Sequence, residues 1–292
     1  MKSSLTESRT RGGDHPRVVQ PLKAYEDIDF LKSDACRTAR LQLEFLKPEV
    51  AMQEQGIEST IVLFGSARML SPEQAIEELA VAESALGAEP GSGAAGRQVQ
   101  VAKAMVEQSR YYTVARDLAR VASEYGQGHG AGDKREWVVT TGGGGGIMEA
   151  GNRGADDAGA KSIALNITLP REQHANPYCC EDLSFQFHYF SIRKMHFLMR
   201  AKALCAFPGG FGTLDELFET LTLIQTGKIE PIPVVLFGES YWKRVVNWQE
   251  LADRGMIGVE DLSLFSICET AADGWHRICQ FYEMGAGSGA AN

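Results

Sequence analysis

Long apolar runs, an apolar segment within residues 1–20 and an excess of positive charge are all missing from this sequence of 292 residues. Apolar runs such as Ile61–Phe64 and Pro233–Phe237 are far shorter than the ~20 residues of a membrane-spanning helix. Residues 1–20 contain arginines but no apolar segment, so we expect no secretory signal, and Glu7 and Asp14 disfavour a transit peptide. The net charge of −9 disfavours sequence-independent nucleic-acid binding, which needs clustered cations. We therefore expect no membrane or nucleic-acid partner.

The sequence also lacks Cys-x-x-Cys pairs and histidines at the spacing of metal ligands. The six cysteines form no Cys-x-x-Cys pair, and adjacent Cys179 and Cys180 point in different directions from the backbone. His188 and His196 have no partner at ligand spacing, so both fit packing or polar surface better. The sequence predicts a reducing, cytoplasmic location, with no metal and no organic cofactor.

The two ends of the chain differ from its middle in composition and in hydrophobic pattern. Residues 1–30 are polar and aperiodic and predict a flexible arm, and residues 285–292 predict a disordered tail. Ser33 is positioned to cap a helix that runs to Phe45 or Leu46 and stops before Pro48. Ala39, Leu43 and Leu46 would share one face of that helix. It forms an N-terminal extension, residues 31–56, of a single domain predicted to span residues 31–284.

Strands alternate with helices through the rest of the chain, and several strands are apolar on both faces. This pattern predicts an α/β fold of Rossmann-like, doubly wound type, with a mostly parallel sheet covered by helices on both faces. Two small-residue segments, Gly87–Gly96 and Gly126–Gly132, are interpreted as loops, the first as an insertion. The predicted strands are Thr60–Phe64, Trp137–Thr141, Ser162–Ile167, Ser184–Phe187, Ala203–Phe207, Ile232–Phe237 and Leu264–Cys268. The predicted helices are Pro72–Leu86, Val99–Tyr125, Ile147–Ala158, Ile192–Lys202, Leu214–Thr226, Tyr241–Arg254 and Ala271–Tyr282.

Two glycine-rich turns follow the first two strands, at the edge where such folds bind ligands. In Phe64-Gly-Ser-Ala-Arg68, Gly65 and Ser66 could offer N–H groups beside the charge of Arg68, although a merely structural turn is equally consistent. The second turn has five consecutive glycines, Gly142 to Gly146, before a helix N-terminus, which favours an anion site over a flexible loop. It lacks both the Gly-x-Gly-x-x-Gly motif of dinucleotide-binding proteins and the Gly-Lys-Ser/Thr motif of phosphate loops. The sequence therefore does not indicate binding of NAD or of a nucleoside triphosphate.

A third turn, Pro208-Gly-Gly-Phe-Gly-Thr-Leu-Asp-Glu216, enters another helix. Thr213 and Glu216 have the spacing of a capping box, in which Glu216 would only return a hydrogen bond to the cap. Arg193 and Lys194 fall at the start of a preceding helix, where cations oppose the helix dipole and need a compensating anion. A solvated cation pair is the alternative interpretation.

Together, these segments closely resemble the Lonely Guy family. The resemblance covers about residues 57–285 and is carried mainly by the Pro-Gly-Gly-x-Gly-Thr-x-x-Glu string and its spacing after Arg193-Lys194. It implies a phosphoribohydrolase that cleaves the base from a nucleoside 5′-monophosphate, such as AMP or a cytokinin ribotide, and a homo-oligomer, a dimer or larger. Many members were labelled lysine decarboxylases, but the sequence shows no Schiff-base lysine setting for pyridoxal phosphate.

The resemblance also implies roles for individual residues. Arg193 and Glu216 match the catalytic pair: the carboxylate would stabilise positive charge on the ribose and orient or deprotonate water, and Arg193 would hold phosphate or polarise the base. The remaining candidates would bind substrate; they are Gly65, Ser66, Arg68, Gly143, Gly144, Gly145, Gly146, Met148, Glu172, Lys194, Gly209, Gly210, Gly212 and Thr213.

Three departures from short family members leave the substrate open. They are the N-terminal arm and helix, the Gly87–Gly96 segment, and Leu169–Asn176, where Glu172 and Asn176 could reach a base or ribose but a surface turn is favoured. A non-catalytic nucleotide-binding module remains the main alternative function, because similar glycine loops bind phosphate without chemistry. A dinucleotide-dependent oxidoreductase would need the Gly-x-Gly-x-x-Gly motif, which the five-glycine turn lacks.

Overall fold

A seven-stranded parallel sheet forms the centre of the described structure, a computed structural model that describes residues 21–128, 134–168 and 175–283. The strand order is β4-β3-β2-β1-β5-β6-β7, and every neighbouring pair is parallel. The strands are β1 (Thr60–Phe64), β2 (Val138–Thr141), β3 (Ser162–Ile167), β4 (Ser184–Phe187), β5 (Ala201–Ala206), β6 (Val234–Phe237) and β7 (Phe265–Cys268). The predicted Rossmann-like, doubly wound α/β fold is confirmed.

Both faces of the sheet are buried, as the continuous apolar strands predict. Every residue of β1 is buried. Ile61 and Leu63 pack into the core on one face, whereas Val62 and Phe64 pack into the core on the other. Since successive side chains of a strand point to opposite faces, β1 contributes to two cores.

The chain reverses its winding direction beside β1. It passes from β1 outward through β2 and β3 to β4, and then returns to place β5 against the other side of β1. In an open parallel sheet, ligands bind outside the carboxyl ends of the strands at such a switch point. The turns after β1 and β5 therefore border the crevice where a ligand is expected.

Eleven α-helices accompany the sheet in the described residues. They are α1 (Ile28–Lys32), α2 (Arg37–Glu54), α3 (Pro72–Ala88), α4 (Gly93–Gln108), α5 (Arg110–Gln127), α6 (Ile147–Asp157), α7 (Phe190–Leu198), α8 (Phe211–Gln225), α9 (Glu239–Val245), α10 (Trp248–Asp253) and α11 (Ala271–Phe281).

The expected end of the N-terminal helix before Pro48 is wrong. Helix α2 continues through a buried Pro48 to Glu54. Proline removes one helical hydrogen bond, but residues on both sides of it are held by tertiary contacts: Glu44 accepts a hydrogen bond from His188 N, and Glu49 binds Arg200. Ser33 does not cap this helix, because its hydroxyl donates to the carbonyl of Phe30, at the end of α1.

The Gly87–Gly96 segment is mostly helical rather than a loop. Helix α3 includes Gly87, α4 begins at Gly93, and Ser92 caps α4 by accepting a hydrogen bond from Ala95 N at 3.4 Å. The predicted helix from Val99 to Tyr125 is two helices, because α4 ends at Gln108 and α5 begins at Arg110. Local capping therefore shortens the connection to residues 89–92.

Three other boundaries differ from the prediction. Helix α7 ends at Leu198, so that Ala201 and Lys202 join β5, and the Tyr241–Arg254 segment is divided into α9 and α10. Gly126 belongs to the last turn of α5, where an added Cβ would lie 2.0 Å from the carbonyl oxygen of Glu136.

Several predictions fall on residues that the structure does not describe. Residues 1–20 of the predicted arm, residues 129–133 of the second small-residue loop and residues 169–174 lie outside the described residues. The same holds for the tail, residues 285–292.

The chain divides into two compact units, with the boundary between Gln42 and Leu43. In the N-terminal unit, the carboxylate of Asp27 accepts a hydrogen bond from Phe30 N at 3.0 Å, and Arg40 donates to the carbonyl of Leu31 at 2.8 Å. The C-terminal unit contains the whole sheet. The limits of the predicted 31–284 domain stay a prediction. Among the described residues, no helix is both long and apolar enough to cross a membrane.

Candidate active site

Three turns meet at the carboxyl ends of β1, β2 and β5, and the main chain of Ser66 links them. Ser66 N donates to the carbonyl of Pro208 at 3.0 Å, and its own carbonyl accepts from Ile147 N at 3.1 Å. The turn after β1 is thus hydrogen-bonded to the five-glycine loop on one side and to the Pro208 turn on the other. The structure brings all three predicted turns together at the switch point.

The five-glycine loop is closely packed against its neighbours. Gly143 and Gly146 have positive φ angles of 73° and 66°. An added Cβ would lie 2.3 Å from Asn166 Oδ1 at Gly143 and 2.2 Å from the carbonyl oxygen of Ser66 at Gly146. No side chain fits at these distances. The glycines therefore allow close main-chain packing, and the loop is not a flexible linker.

Asn176 binds this loop, and the expectation that it lies in a surface turn is wrong. It is only 7% exposed. Its side-chain amide donates to the carbonyls of Gly143 at 3.2 Å and Gly144 at 3.0 Å, and to Asn152 Oδ1 at 2.9 Å. Asn152 also accepts from the hydroxyl of Thr141 at 2.7 Å. Sequence reasoning missed Asn152 entirely, because a polar residue inside an amphipathic helix gives no local signal of what it contacts.

The turn after β5 has the opposite character, because two of its three glycines border open space. A Cβ at Gly210 or at Gly212 would meet nothing within 4 Å. Phe211 is 92% exposed, so its side chain does not cover the main chain of the turn. The 15-residue helix α8 starts here with Gly210 as its N-cap, and the first N–H groups of a helix have no intrahelical partner. This arrangement suits a bound anion.

The capping-box interpretation of Thr213 and Glu216 is wrong. Helix α8 begins at Phe211, two residues before Thr213, and the N-cap glycine has no side chain to make a cap. Gly209 permits this early start, because an added Cβ there would lie 2.1 Å from the hydroxyl of Thr213. Glu216 is therefore not occupied by a capping hydrogen bond.

Glu216 is a buried carboxyl, only 7% exposed. Burial raises its pKa to about 7, whereas the positive charges of Arg193 and Lys194 act in the opposite direction. Desolvation penalises the ionised form of a carboxyl. Near neutral pH, such a group can exchange a proton readily, which is a property of general acids and bases.

Arg193 reaches from α7 toward the five-glycine loop. Its Nε donates to the carbonyl of Leu165 at 2.8 Å, and its Nη2 is so close to Gly142 that an added Cβ there would lie 2.6 Å away. Burial lowers its pKa, and the charge of Glu216 raises it. Arg193 and Glu216 are therefore close enough to influence each other's ionisation, and the interpretation of Arg193 and Lys194 as a solvated pair is wrong.

Lys194 faces α8 and has two acidic partners there. Its ammonium lies 2.7 Å from Asp215 and 2.8 Å from Glu219. These ion pairs raise its pKa, although burial acts against them. They supply the compensating negative charge that a cation near a helix N-terminus requires. Lys194 connects α7 to α8, and its predicted contact with substrate stays a prediction.

The other predicted residues lie around the same crevice. An added Cβ at Gly65 would be 2.6 Å from Ile147, and one at Gly145 would be 3.4 Å from the carbonyl oxygen of Ala67. Met148 places its sulfur against Gly142. Arg68 is exposed, and its N–H donates to the hydroxyl of Ser66 at 3.1 Å. Glu172 lies outside the described residues.

Comparison with known proteins agrees with the sequence resemblance. A family model described as "Possible lysine decarboxylase" matches residues 148–278, which include Arg193 and Glu216. A "Bifunctional cytokinin biosynthesis protein" of Fusarium pseudograminearum (strain CS3096) is 38% identical over 64 residues, 22% of this chain. The resemblance to the Lonely Guy family is confirmed. The match spans only 13% of the length of the curated Fusarium protein.

Two solved structures are also similar to this chain. An X-ray structure of TM1055, a structural genomics target, has a TM-score of 0.44 and 16% identity, and the match covers 76% of this chain and 99% of that one. The molybdenum cofactor binding protein of Rippkaea orientalis has a TM-score of 0.41 and 19% identity, and the match covers 59% of this chain and 87% of that one. The fold itself is established by the strand order and pairing of this chain.

The site does not fit the cofactor that the words "lysine decarboxylase" imply. Pyridoxal phosphate forms a Schiff base with a lysine amine, and such amines are activated by a lowered pKa. Lys194, the lysine on the elements of this site, is instead held by Asp215 and Glu219, and its pKa is raised. No step of the reaction is therefore assigned to pyridoxal phosphate at this site.

Proposed function

We propose that this protein hydrolyses the N-glycosidic bond of a nucleoside 5′-monophosphate, AMP or a cytokinin ribotide, releasing the free base and ribose 5-phosphate. The observation that carries the proposal is the buried Glu216 carboxyl, with a pKa of about 7, beside Arg193 at the switch point. The open turn at Gly210 and Gly212 offers space and unpaired N–H groups for the phosphate. The name of the Fusarium relative supports a ribotide substrate.

In the proposed mechanism, the phosphate sits at the N-terminus of α8, and the ribose lies beside Glu216. Cleavage of the bond builds positive charge on the ribose as the base leaves. The ionised carboxylate stabilises that charge and takes a proton from the attacking water, whose oxygen bonds to the anomeric carbon. The electron pair of the broken bond departs with the base, which gains a proton.

The test is chromatographic measurement of free base after incubation with AMP and with isopentenyladenosine monophosphate. Glu216→Gln should lower kcat by about 10²–10⁴-fold, the usual contribution of a general base. Glu107→Gln, which changes an exposed carboxylate on α4, should leave the rate unchanged. If wild-type protein releases no base from either nucleotide, the proposal fails.

The alternative, a nucleotide-binding module without turnover, makes a different prediction in the same samples. AMP would raise the melting temperature by mass action, yet it would be recovered intact. Release of base that depends on Glu216 would exclude this alternative. The burial of Glu216 favours the hydrolase over the binding module, because phosphate binding alone gives no reason to bury a carboxyl beside the site.

We further propose that the protein is a homo-oligomer in the cytoplasm. Leu43 and Leu46 are 56% and 52% exposed on α2, and contiguous apolar surface marks protein contacts. Helix α7 likewise exposes Phe190 and Met195, and Met199 is exposed directly after the helix. All six cysteines are free, which is consistent with a reducing compartment. Light scattering on the purified protein measures the mass of the assembly.

A further inference from the structure

Helix α2 binds the two segments that flank α7, the helix that carries Arg193. The carboxylate of Glu44 accepts hydrogen bonds from His188 N at 3.0 Å and Tyr189 N at 3.1 Å, immediately before α7. Beyond the other end of α7, Glu49 accepts two hydrogen bonds from Arg200, at 2.7 and 2.8 Å. These contacts fix both ends of the segment that presents Arg193.

The N-terminus of α7 has no cap of its own. Its N-cap residue, Tyr189, makes no side-chain capping hydrogen bond. Arg193 and Lys194, the fourth and fifth residues of the helix, carry positive charges that oppose the helix dipole. A carboxylate beside a helix N-terminus adds favourable negative charge there. Glu44 supplies it from a different helix.

Arg193 is hydrogen-bonded through its main chain to a residue that Glu44 holds. Arg193 N donates to the carbonyl of Tyr189 at 3.2 Å, the same residue whose N–H is bound by Glu44. The Arg193 side chain has little freedom to compensate for a shift of α7. Its Nε is bound to the carbonyl of Leu165, and its Nη2 lies against Gly142.

We propose that Glu44 is a positioning residue for Arg193, and that the N-terminal extension acts in the reaction by fixing the first turn of α7. This role rests on the proposed function, because it assumes that Arg193 acts on the bound nucleotide. It also gives the extension a task that does not require contact with substrate. Glu44 touches only main-chain N–H groups here and is not itself catalytic.

The activity test is a double-mutant cycle. Glu44→Ala should lower kcat/KM for the nucleotide about tenfold, which is the size of one lost charge-assisted hydrogen bond. Glu54→Ala, which removes an exposed carboxylate of the same helix, should stay within about twofold. In an Arg193→Lys background, Glu44→Ala should cost much less, because coupled residues are not additive. Full additivity would mean a merely structural role and would overturn the proposal.

A second measurement does not depend on turnover. The Nε–H of Arg193, assigned by its loss in Arg193→Lys, should exchange slowly with solvent in the wild type, because it is bonded to Leu165. It should lose that protection in Glu44→Ala, whereas Glu54→Ala should retain it. Unchanged protection in folded Glu44→Ala overturns the proposal. If the wild type hydrolyses no nucleotide, the proposed function fails, yet this exchange measurement still decides the role of Glu44.

Discussion

The five-glycine loop and the Pro208 turn look alike in sequence but use glycine for different reasons. In the loop, side chains at Gly143 or Gly146 would collide with Asn166 or Ser66. In the turn, side chains at Gly210 or Gly212 would project into open space. One glycine cluster therefore serves the packing of the protein against itself, and the other leaves room for a ligand. A glycine-rich string alone does not distinguish the two.

The largest expected effect is that of Gly143→Ala on stability. The positive φ of 73° costs ~1–2 kcal/mol for alanine, and contact with Asn166 adds an overpacking cost of ~1–3 kcal/mol. We expect the free energy of unfolding to fall by about 3–4 kcal/mol in denaturant titrations. Gly159→Ala is the matched control, since Gly159 has a φ of 64° but no neighbour within 4 Å; it should cost only about 1 kcal/mol. Equal losses would refute close packing of the loop.

A smaller, pH-dependent effect is expected from Glu216→Gln. Since burial raises the pKa of this carboxyl from 4.5 to about 7, the folded wild type loses stability as the pH rises from about 4.5 to 7, and stays less stable above that range. A shift of this size corresponds to about 3 kcal/mol. Glutamine has no charge and removes this penalty. The free energy of unfolding of the variant, relative to that of the wild type, should therefore be about 2–3 kcal/mol higher at pH 8 than at pH 5. Chemical denaturation at both pH values measures it, and a pH-independent difference would contradict the raised pKa.

The smallest effect on stability, and one of opposite sign, is expected from Gly212→Ala. Alanine in a helix is favoured over glycine by ~0.5–1 kcal/mol, and no atom lies in its way. The variant should therefore be slightly more stable, yet bind AMP at least about tenfold more weakly, because the methyl group occupies the proposed phosphate space. Calorimetry measures the affinity. Unchanged affinity together with higher stability would show that the open turn is not the phosphate site.

The sheet could be predicted from sequence because its strands are short apolar runs buried on both faces, such as Thr60–Phe64. The ends of helices were less predictable where distant residues determine them. Helix α2 passes through Pro48 while Glu49 is bound to Arg200, 151 positions away. The start of α8 depends on the fit of Thr213 against Gly209 rather than on a cap.

The site was predictable to the extent that it follows strand ends. Arg193, Glu216 and the glycine turns could be chosen from their spacing and family resemblance, and the structure places them around one crevice. The contacts of Asn176 with Gly143, Gly144 and Asn152 join residues that are 24 to 33 positions apart. No local pattern reveals such a network, because it exists only after the loop has folded against α6.

The main-chain hydrogen bonds of Ser66 to Pro208 and Ile147 have a consequence for how the protein tolerates mutation. Both bonds use peptide groups, so exchanging the side chain at this position leaves the link between the two glycine clusters in place. Proline is the exception, because it removes the N–H group. The main chain alone therefore connects the closely packed loop to the open turn. Most substitutions of Ser66 should leave this connection intact.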